Sequence, residues 1–393
     1  MLSDAHRAIV KATVPILETG GETLTTHFYK MLLRDYPQVV PLFNKAHQSS
    51  GDQPRALANG ILMYAKNIDR LEALGDLVGA IVNKHVALQI LPEHYPMVGD
   101  CLLRAIREVL GAEIATDEVI AAWAAAYGQL ADILIGAEKQ VYDDTAKAEG
   151  GWRGTRDFVV TKKVAESDEI TSFYFEPVDG KSVLQFQPGQ YIGLRVIVDG
   201  EEMRRQYSLS AAANGQHYRI SVKREPGGKV SNHLHDHVHE GTVVQLMPPS
   251  GQFTLAASNK PLVLLSGGVG ITPMLSMLDA ALKTGRPVHF IHAARHGGVH
   301  AFREYLDTQA AQHPQLKTYF CYEQAREQDK APHATGLIDQ AVLRNWLPAS
   351  PDVDAYFVGP KPFMKAMKQH LAALGVPAEQ SRYEFFGPAS ALA

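Results

Sequence analysis

Apolar residues recur at helical spacing through the first 148 or so positions of the chain. Segments 3–17, 22–34, 54–68, 71–90, 97–110 and 117–142 carry such stripes. Pro37, Pro41, Gly51, Pro92 and Pro96 fall at their boundaries, as residues that end helices should. Around Glu149-Gly150-Gly151 the pattern changes. Short β-rich runs follow to about residue 255 (DFVVTKKV, ITSFYFEP, YIGLRVIV, YRISVKR, TVVQLMP), separated by Pro, Gly and Asp turns. About six strands at this spacing predict a small antiparallel barrel. Beyond about 260, strands and helices alternate: PLVLLS and a helix from Pro273, VHFIHAA and a helix, LKTYFCY, DAYFVG and a helix, then YEFF. That alternation predicts a parallel α/β sheet. The expectation is three domains, 1–148, 151–256 and 260–393, with the Gly-Gly pair near 150 as the main junction.

The length fits, since 393 residues at about 150 per domain give two or three. With 46% hydrophobic and 20% charged residues, the chain is too apolar for disorder. Lys plus Arg is 38 against 42 for Asp plus Glu, a net charge of −4, which argues against a nucleic-acid surface. No uninterrupted apolar run approaches the roughly 18 residues of a membrane span. The opening MLSDAHRAIVKATV mixes charged and apolar residues, unlike a signal peptide, so a cytoplasmic location is expected. The two cysteines, Cys101 and Cys321, allow at most one bridge and cannot hold an iron–sulfur cluster through four thiolates. Electron transfer would therefore need an organic cofactor or a metal centre with other ligands.

Three polar residues interrupt the helical stripes. Leu57, Ile61, Tyr64 and Ile68 define one face, which reaches Gln53 when extended back one turn. Leu74, Val78, Ile81 and Leu88 define a second face that includes His85. Ile120, Trp123, Tyr127, Leu130, Leu134 and Val141 define a third that includes Glu138. A lone histidine on such a stripe is more often a satisfied core residue, and a Gln at a helix start or a Glu near a helix end is usually unremarkable. The combination is what points to a polar site inside a helical fold, because an unpartnered buried polar group costs about 1–3 kcal/mol. Tyr29 lies beside the Leu24/Phe28/Leu32 stripe. Glu138 suits the second nitrogen of a histidine ligand, and Tyr95 can complete the network.

These residues carry a resemblance. THFYKMLL, then Phe43, GDQPRALANGILMYAKNI and KHVALQILPEHYPMVG are similar to the globin domain of flavohaemoglobins. The resemblance implies haem b with His85 as proximal iron ligand, Tyr29 and Gln53 with Leu57 on the distal side, and Phe43 wedged against the haem. It further implies a proximal network of Tyr95 and Glu138, and an influence of Lys84 on the haem potential.

The remaining domains extend the likeness over the whole chain. PGQY at 188–191, ending in Tyr191, and Arg205-Gln206-Tyr207-Ser208 offer an aromatic face, a hydroxyl and a cation, as a flavin and its pyrophosphate require. In Gly227-Gly228-Lys229-Val230-Ser231-Asn232, Ser231 is expected to cap a helix whose free N–H groups face a phosphate. These features resemble the FAD domain of ferredoxin–NADP reductase-like enzymes, which marks Gly228, Val230 and Ser231. The ending Glu384-Phe385-Phe386-Gly387-Pro388 resembles the family segment that returns to the flavin.

The buried run at 262–266 leads into Gly267-Gly268-Val269-Gly270-Ile271-Thr272-Pro273, where Thr272 and Pro273 suit the N-cap and first position of a helix. This is not a G-x-G-x-x-G fingerprint, but it resembles the reductases' nicotinamide-binding turn. Where those enzymes usually have Cys-Gly-Pro, this chain has Val358-Gly359-Pro360, keeping the turn and losing the thiol. His233, His235, His237 and His239 form i,i+4 pairs on a helix, but no further ligand is evident and a solvated helix is expected.

The expected function is NAD(P)H to FAD to haem electron transfer, and by the flavohaemoglobin resemblance the conversion of NO and O2 to nitrate. A haem-containing reductase of flavins, ferric chelates or hydroperoxides, and an oxygen-binding or sensing globin, are the alternatives. The resemblance implies that NADH serves, and Arg295, after VHFIHAA, is placed to meet a 2′-phosphate, so NADPH is expected to be usable. A monomer is expected, with a lipid as a candidate occupant of the distal pocket.

Overall fold

Proline decides the first departure from the expected helices. Pro15 lacks an N–H and its ring would strike the carbonyl one turn back, so a helix cannot run through it. Helix α1 (Asp4–Ala12) therefore stops at Thr13, and α2 (Val14–Asp35) restarts with Pro15 in its first turn. The structure, a computed structural model, describes residues 2–43 and 52–386. Its described residues divide into two compact units, one of residues 2–147 with 199–204 and one of residues 148–198 with 205–386.

The first unit continues with α3 (Asp52–Lys66), α4 (Gly75–Leu88), α5 (His94–Leu110) and α6 (Asp117–Lys147). Phe28, Met31, Leu32, Tyr64, Ile68, Leu102 and Trp123 form its core. Helix α6 is long and apolar enough, by length and composition alone, to cross a membrane. Within this unit it buries Trp123, Ala126, Leu134, Glu138 and Tyr142. Val141, expected on that face, is 36% exposed. The reason is helical drift: 3.6 residues per turn carry the stripe from Leu134 to Glu138 and Tyr142, one position past Val141.

Except for Glu201–Arg204, the first half of one strand, which group with the first unit, the second unit contains both sheets. The first joins β1 (Arg156–Ala165), β2 (Ile170–Pro177), β3 (Tyr191–Val198), β4 (Glu201–Ser208), β5 (Tyr218–Lys223) and β6 (Val243–Ser250) in the order β4-β3-β6-β1-β2-β5. An antiparallel bridge between Leu209 and Ile220 carries the end of β4 onto β5 and closes the sheet. Helix α7 (Lys229–His237) lies between β5 and β6.

The second sheet is parallel: β7 (Leu262–Gly267), β8 (Val288–Ala294), β9 (Leu316–Tyr322), a two-residue β10 (Ala334–Thr335), β11 (Asp354–Val358) and β12 (Ser381–Tyr383). The order is β10-β9-β8-β7-β11-β12. Leu262, Leu264 and Phe290 pack on α8 (Ile271–Leu282) and α9 (Arg303–Gln312). Val263, Leu265 and Ile291 pack on α10 (Gln340–Trp346) and α11 (Lys361–Ala373). Alternate residues of one strand thus fill two cores, so LVLLSG is buried throughout. The order reverses between β8-β7 and β11, and the crevice at the carboxyl ends of β7 and β11 is a topological switch point.

Candidate active site

In the helical unit, three elements bring His85, Tyr95 and Glu138 together. His85 lies in the last turn of α4, Tyr95 in the first turn of α5 and Glu138 on α6. His85 Nδ1 is 2.7 Å from Glu138 Oε1 and 3.2 Å from the Tyr95 hydroxyl. Tyr95 donates to the same carboxylate oxygen at 2.6 Å. Glu138 is 2% exposed. Burial, reinforced by the bond to Glu138, drives the Tyr95 pKa far up, so its phenol stays protonated and donates.

A carboxylate accepting at Nδ1 fixes the proton there and leaves the lone pair on Nε2, the tautomer of a metal ligand. Among the described residues Nε2 has no hydrogen-bond partner, and the His85 side chain is 31% exposed. Among those residues no group of three His, Cys, Asp or Glu could hold a bare ion. One imidazole with a free lone pair is the protein donor set that a haem needs, and these residues fit it.

Two tyrosines that the stripes did not flag as functional hold this arrangement. Tyr127 donates to the Tyr95 carbonyl at 2.6 Å, and Tyr142 to the Ile90 carbonyl at 2.7 Å. The available signal was their register, with Tyr142 one turn beyond Glu138. Helix α4 ends at Leu88, within a turn of His85, because Gln89 turns left-handed, with φ 60°, and Ile90 N–H caps the His85 carbonyl at 2.9 Å.

Tyr29, Phe43, Gln53 and Leu57 form a second group in the same unit. The Tyr29 ring meets Phe28 and Phe43 edge-on, with centroids 4.9 and 5.7 Å apart. Burial raises the Tyr29 pKa, and a hydrogen bond with Gln53 works against that shift. Leu57 follows Gln53 by one turn and joins the core that contains Tyr29. Lys84 is exposed beside His85 on α4.

In the antiparallel sheet, Arg205 and Tyr207 share one side of β4, both half-buried, while Gln206 is exposed and Ser208 buried. Burial lowers the Arg205 pKa and raises that of Tyr207, and each opposes the other's shift. Burial also raises Tyr191, with the Glu384 carboxylate close enough to add to it. The C-terminal segment thus passes near Tyr191 at Glu384, while Phe385 packs on the core of the parallel sheet. It does so past its strand: β12 ends at Tyr383, so the strand expected at YEFF stops at its first residue, and Phe386 is 50% exposed. Gly387 and Pro388 lie outside the described residues.

Two expected caps differ. Gly228, not Ser231, is the N-cap of α7; Val230 is buried, and Ser231 sits inside the first turn. Its hydroxyl accepts from Glu225 N–H at 3.2 Å, bracing the preceding turn. Helix α8 begins at Ile271 with Gly270 as cap, because the 3₁₀ turn Gly268–Gly270 runs straight into it. Thr272 and Pro273 are consequently inside the helix, with Thr272 Oγ1 donating to the Val269 carbonyl at 3.0 Å. Neither helix start carries a side-chain cap, which leaves backbone N–H groups for a phosphate.

At the switch point Gly270 has no room for a Cβ, which would run into the Val358 carbonyl. A Cβ on Gly267 would come within 3.1 Å of Pro360 Cδ. The two turns, 268–273 and Gly359-Pro360, are thus packed backbone to backbone, independent of the Val358 side chain. Gly189, with φ 102°, similarly brings the barrel against α8, its N–H donating to Ser276 Oγ at 3.0 Å. His235 is committed to the barrel, its Nε2 2.8 Å from the Val222 carbonyl. Cys101 and Cys321 are buried free thiols.

Comparison with known proteins gives three matches to family descriptions: Globin at residues 26–134, Oxidoreductase FAD-binding domain at 157–255 and Oxidoreductase NAD-binding domain at 264–369. The chain is 70% identical over 392 residues to the flavohemoprotein of Burkholderia sp. (strain TH2), covering all of both chains. The chain belongs to the flavohemoprotein family. It is 65% identical over 392 residues to the Pseudomonas aeruginosa flavohemoprotein, again covering both chains. The crystal structure of the Malassezia yamatoensis flavohemoglobin with bound FAD and heme is 26% identical with a TM-score of 0.85, covering 98% of this chain and 100% of that one. The FAD/NAD-binding domain of the Vibrio cholerae nitric oxide dioxygenase is 38% identical with a TM-score of 0.55, covering 59% of this chain and 99% of that one. As a flavohemoprotein with these three domains, the chain is an oxidoreductase of haem, FAD and nicotinamide dinucleotide.

Proposed function

We propose that the chain is a nitric oxide dioxygenase, catalysing 2 NO + 2 O2 + NAD(P)H → 2 NO3− + NAD(P)+ + H+. The hydrogen-bonded chain Tyr95–Glu138–His85 carries this reading, and the Vibrio cholerae relative of the reductase half bears the same activity in its name. Haem, when bound, supplies oxygen binding and one-electron chemistry, and FAD divides the hydride's electron pair.

His85 Nε2 would hold the iron, while Glu138 keeps the Nδ1 proton and raises the basicity of the ring. Tyr29 and Gln53 would donate hydrogen bonds where negative charge develops on oxygen, with Phe43 and Leu57 keeping water out. In the reductase half, Arg205 and the start of α7 at Gly228, Val230 and Ser231 suit a pyrophosphate. Tyr191, Gln206, Tyr207, Ser208 and Glu384 to Phe386 suit the flavin. The turn 268–273 with Gly359 and Pro360 suits the dinucleotide.

The test is NADH-driven NO loss by purified protein with nitrate measured. One nitrate per NO consumed is expected. Turnover without nitrate would refute the proposal, as would a His85→Ala variant that retained full haem stoichiometry and an unaltered Soret band.

A further inference from the structure

The loop after β8 is where a doubly wound sheet distinguishes its dinucleotide. A carboxylate there hydrogen-bonds the ribose 2′-hydroxyl of NAD, whereas an arginine accommodates a 2′-phosphate. In this chain β8 leads into Arg295-His296-Gly297-Gly298, which contains no carboxylate. One arrives instead from the barrel. Glu169, at the β1–β2 turn, accepts from Arg295 Nη2 at 2.7 Å.

The turn that presents Glu169 is held in place. Asp168 N–H donates to the Gly298 carbonyl at 2.9 Å, and the Glu169 carbonyl accepts from Arg224 N–H at 2.7 Å. Ser167 Oγ accepts from Ile170 N–H at 3.1 Å. On the far side of the loop Asp329 accepts from Gly297 N–H at 2.9 Å, and Arg326 is 2.7 Å from His296 Nε2. The Arg295–Glu169 pair itself remains reachable, with side chains 59% and 22% exposed.

We propose that Glu169 selects NADH over NADPH, by supplying the carboxylate for the ribose 2′-hydroxyl and by holding Arg295 away from a 2′-phosphate. This rests on the reading of the second unit as an NAD(P)H–flavin reductase. A 2′-phosphate, with a charge of about −1.5 to −2, must lie beside the Glu169 carboxylate and compete with it for Arg295. An exposed ion pair is a weak interaction, so NADPH remains usable at a disadvantage of no more than about fivefold.

The test uses the full-length holoprotein and its Glu169→Gln and Arg295→Ala variants. Calorimetric affinities for adenosine 2′,5′-bisphosphate and 5′-AMP read the subsite without turnover. Anaerobic bleaching of the flavin by NADH and by NADPH reads the consequence. Glu169→Gln is expected to raise the bisphosphate-to-AMP affinity ratio and the NADPH-to-NADH ratio by up to about fivefold, while Arg295→Ala lowers both. Opposite movements distinguish recognition from a merely structural effect of loosening the turn. Ratios within twofold of the parent in both variants would overturn the assignment of Glu169. Failure of both nucleotides to bleach the parent's flavin would overturn the reductase reading itself.

Discussion

Glu138→Gln keeps the shape of the proximal partner and removes its charge. In the parent, one oxygen of a carboxylate only 2% exposed takes bonds of 2.7 Å from His85 and 2.6 Å from Tyr95. Hydrogen bonds to charged groups contribute about 1.5–3 kcal/mol and neutral ones about 1. The imidazole therefore loses about 1–2 kcal/mol of support for its electron-rich form, which stabilises ferric more than ferrous iron. With tenfold in an equilibrium worth about 1.4 kcal/mol and, for one electron, about 59 mV, the haem potential rises by about 40–85 mV. A reductive titration followed at the Soret band measures that shift. Resonance Raman spectroscopy should show the iron–histidine stretch moving to lower frequency. Tyr95→Phe removes a donor that shares the carboxylate, so it is expected to move the potential slightly the other way. A Glu138→Gln potential within about 15 mV of the parent, less than a twofold change in equilibrium, together with an unmoved stretch, would refute the proximal mechanism.

Gly270→Ala places a methyl group against the Val358 carbonyl. Overpacking of this kind costs about 1–3 kcal/mol, so the KM for NAD(P)H should rise at least several-fold while the Soret band is unaltered. Asp354 is 3% exposed and pairs with Arg286 at 2.5 Å and Arg382 at 2.9 Å. Asp354→Ala strands the buried Arg286 and should destabilise the second unit by about 3–5 kcal/mol in urea unfolding. Burial lowers the His292 pKa to about 3, far below the ordinary value of 6.5. The stability from keeping this ring neutral is complete above pH 6.5 and is lost as pH falls toward about 3, by about 1.4 kcal/mol per pH unit. His300, depressed by burial in the same direction, steepens the slope. Unfolding of the second unit measured from pH 7 to 5 should show this fall, and His292→Leu should flatten it.

Local sequence determined much of this protein. Strands 170–177, 191–198, 288–294 and 316–322 begin and end where alternation and turn residues put them, because a pleated surface and its turns are specified within a few residues. His85, Glu138 and Gln53 stood out because a polar group on an apolar helical face must be satisfied, and that demand is visible in periodicity alone. Helix starts were less legible. Thr272 and Ser231 are good caps by type, yet both lie inside helices, since glycines ahead of them can enter the turn at no steric cost.

Tertiary structure alone decided which residues meet. Nothing in the neighbourhood of Arg295 indicates Glu169, 126 residues earlier, because an ion pair across packed domains depends on how a hairpin turn docks onto a loop. The same holds for Gly270 against Val358 and for Ser276 capping Gly189: close approach of distant backbone leaves a requirement for glycine in the sequence, but does not name the partner. The candidate polar groups were written in local pattern, and their pairing came from the packing of elements far apart in the chain.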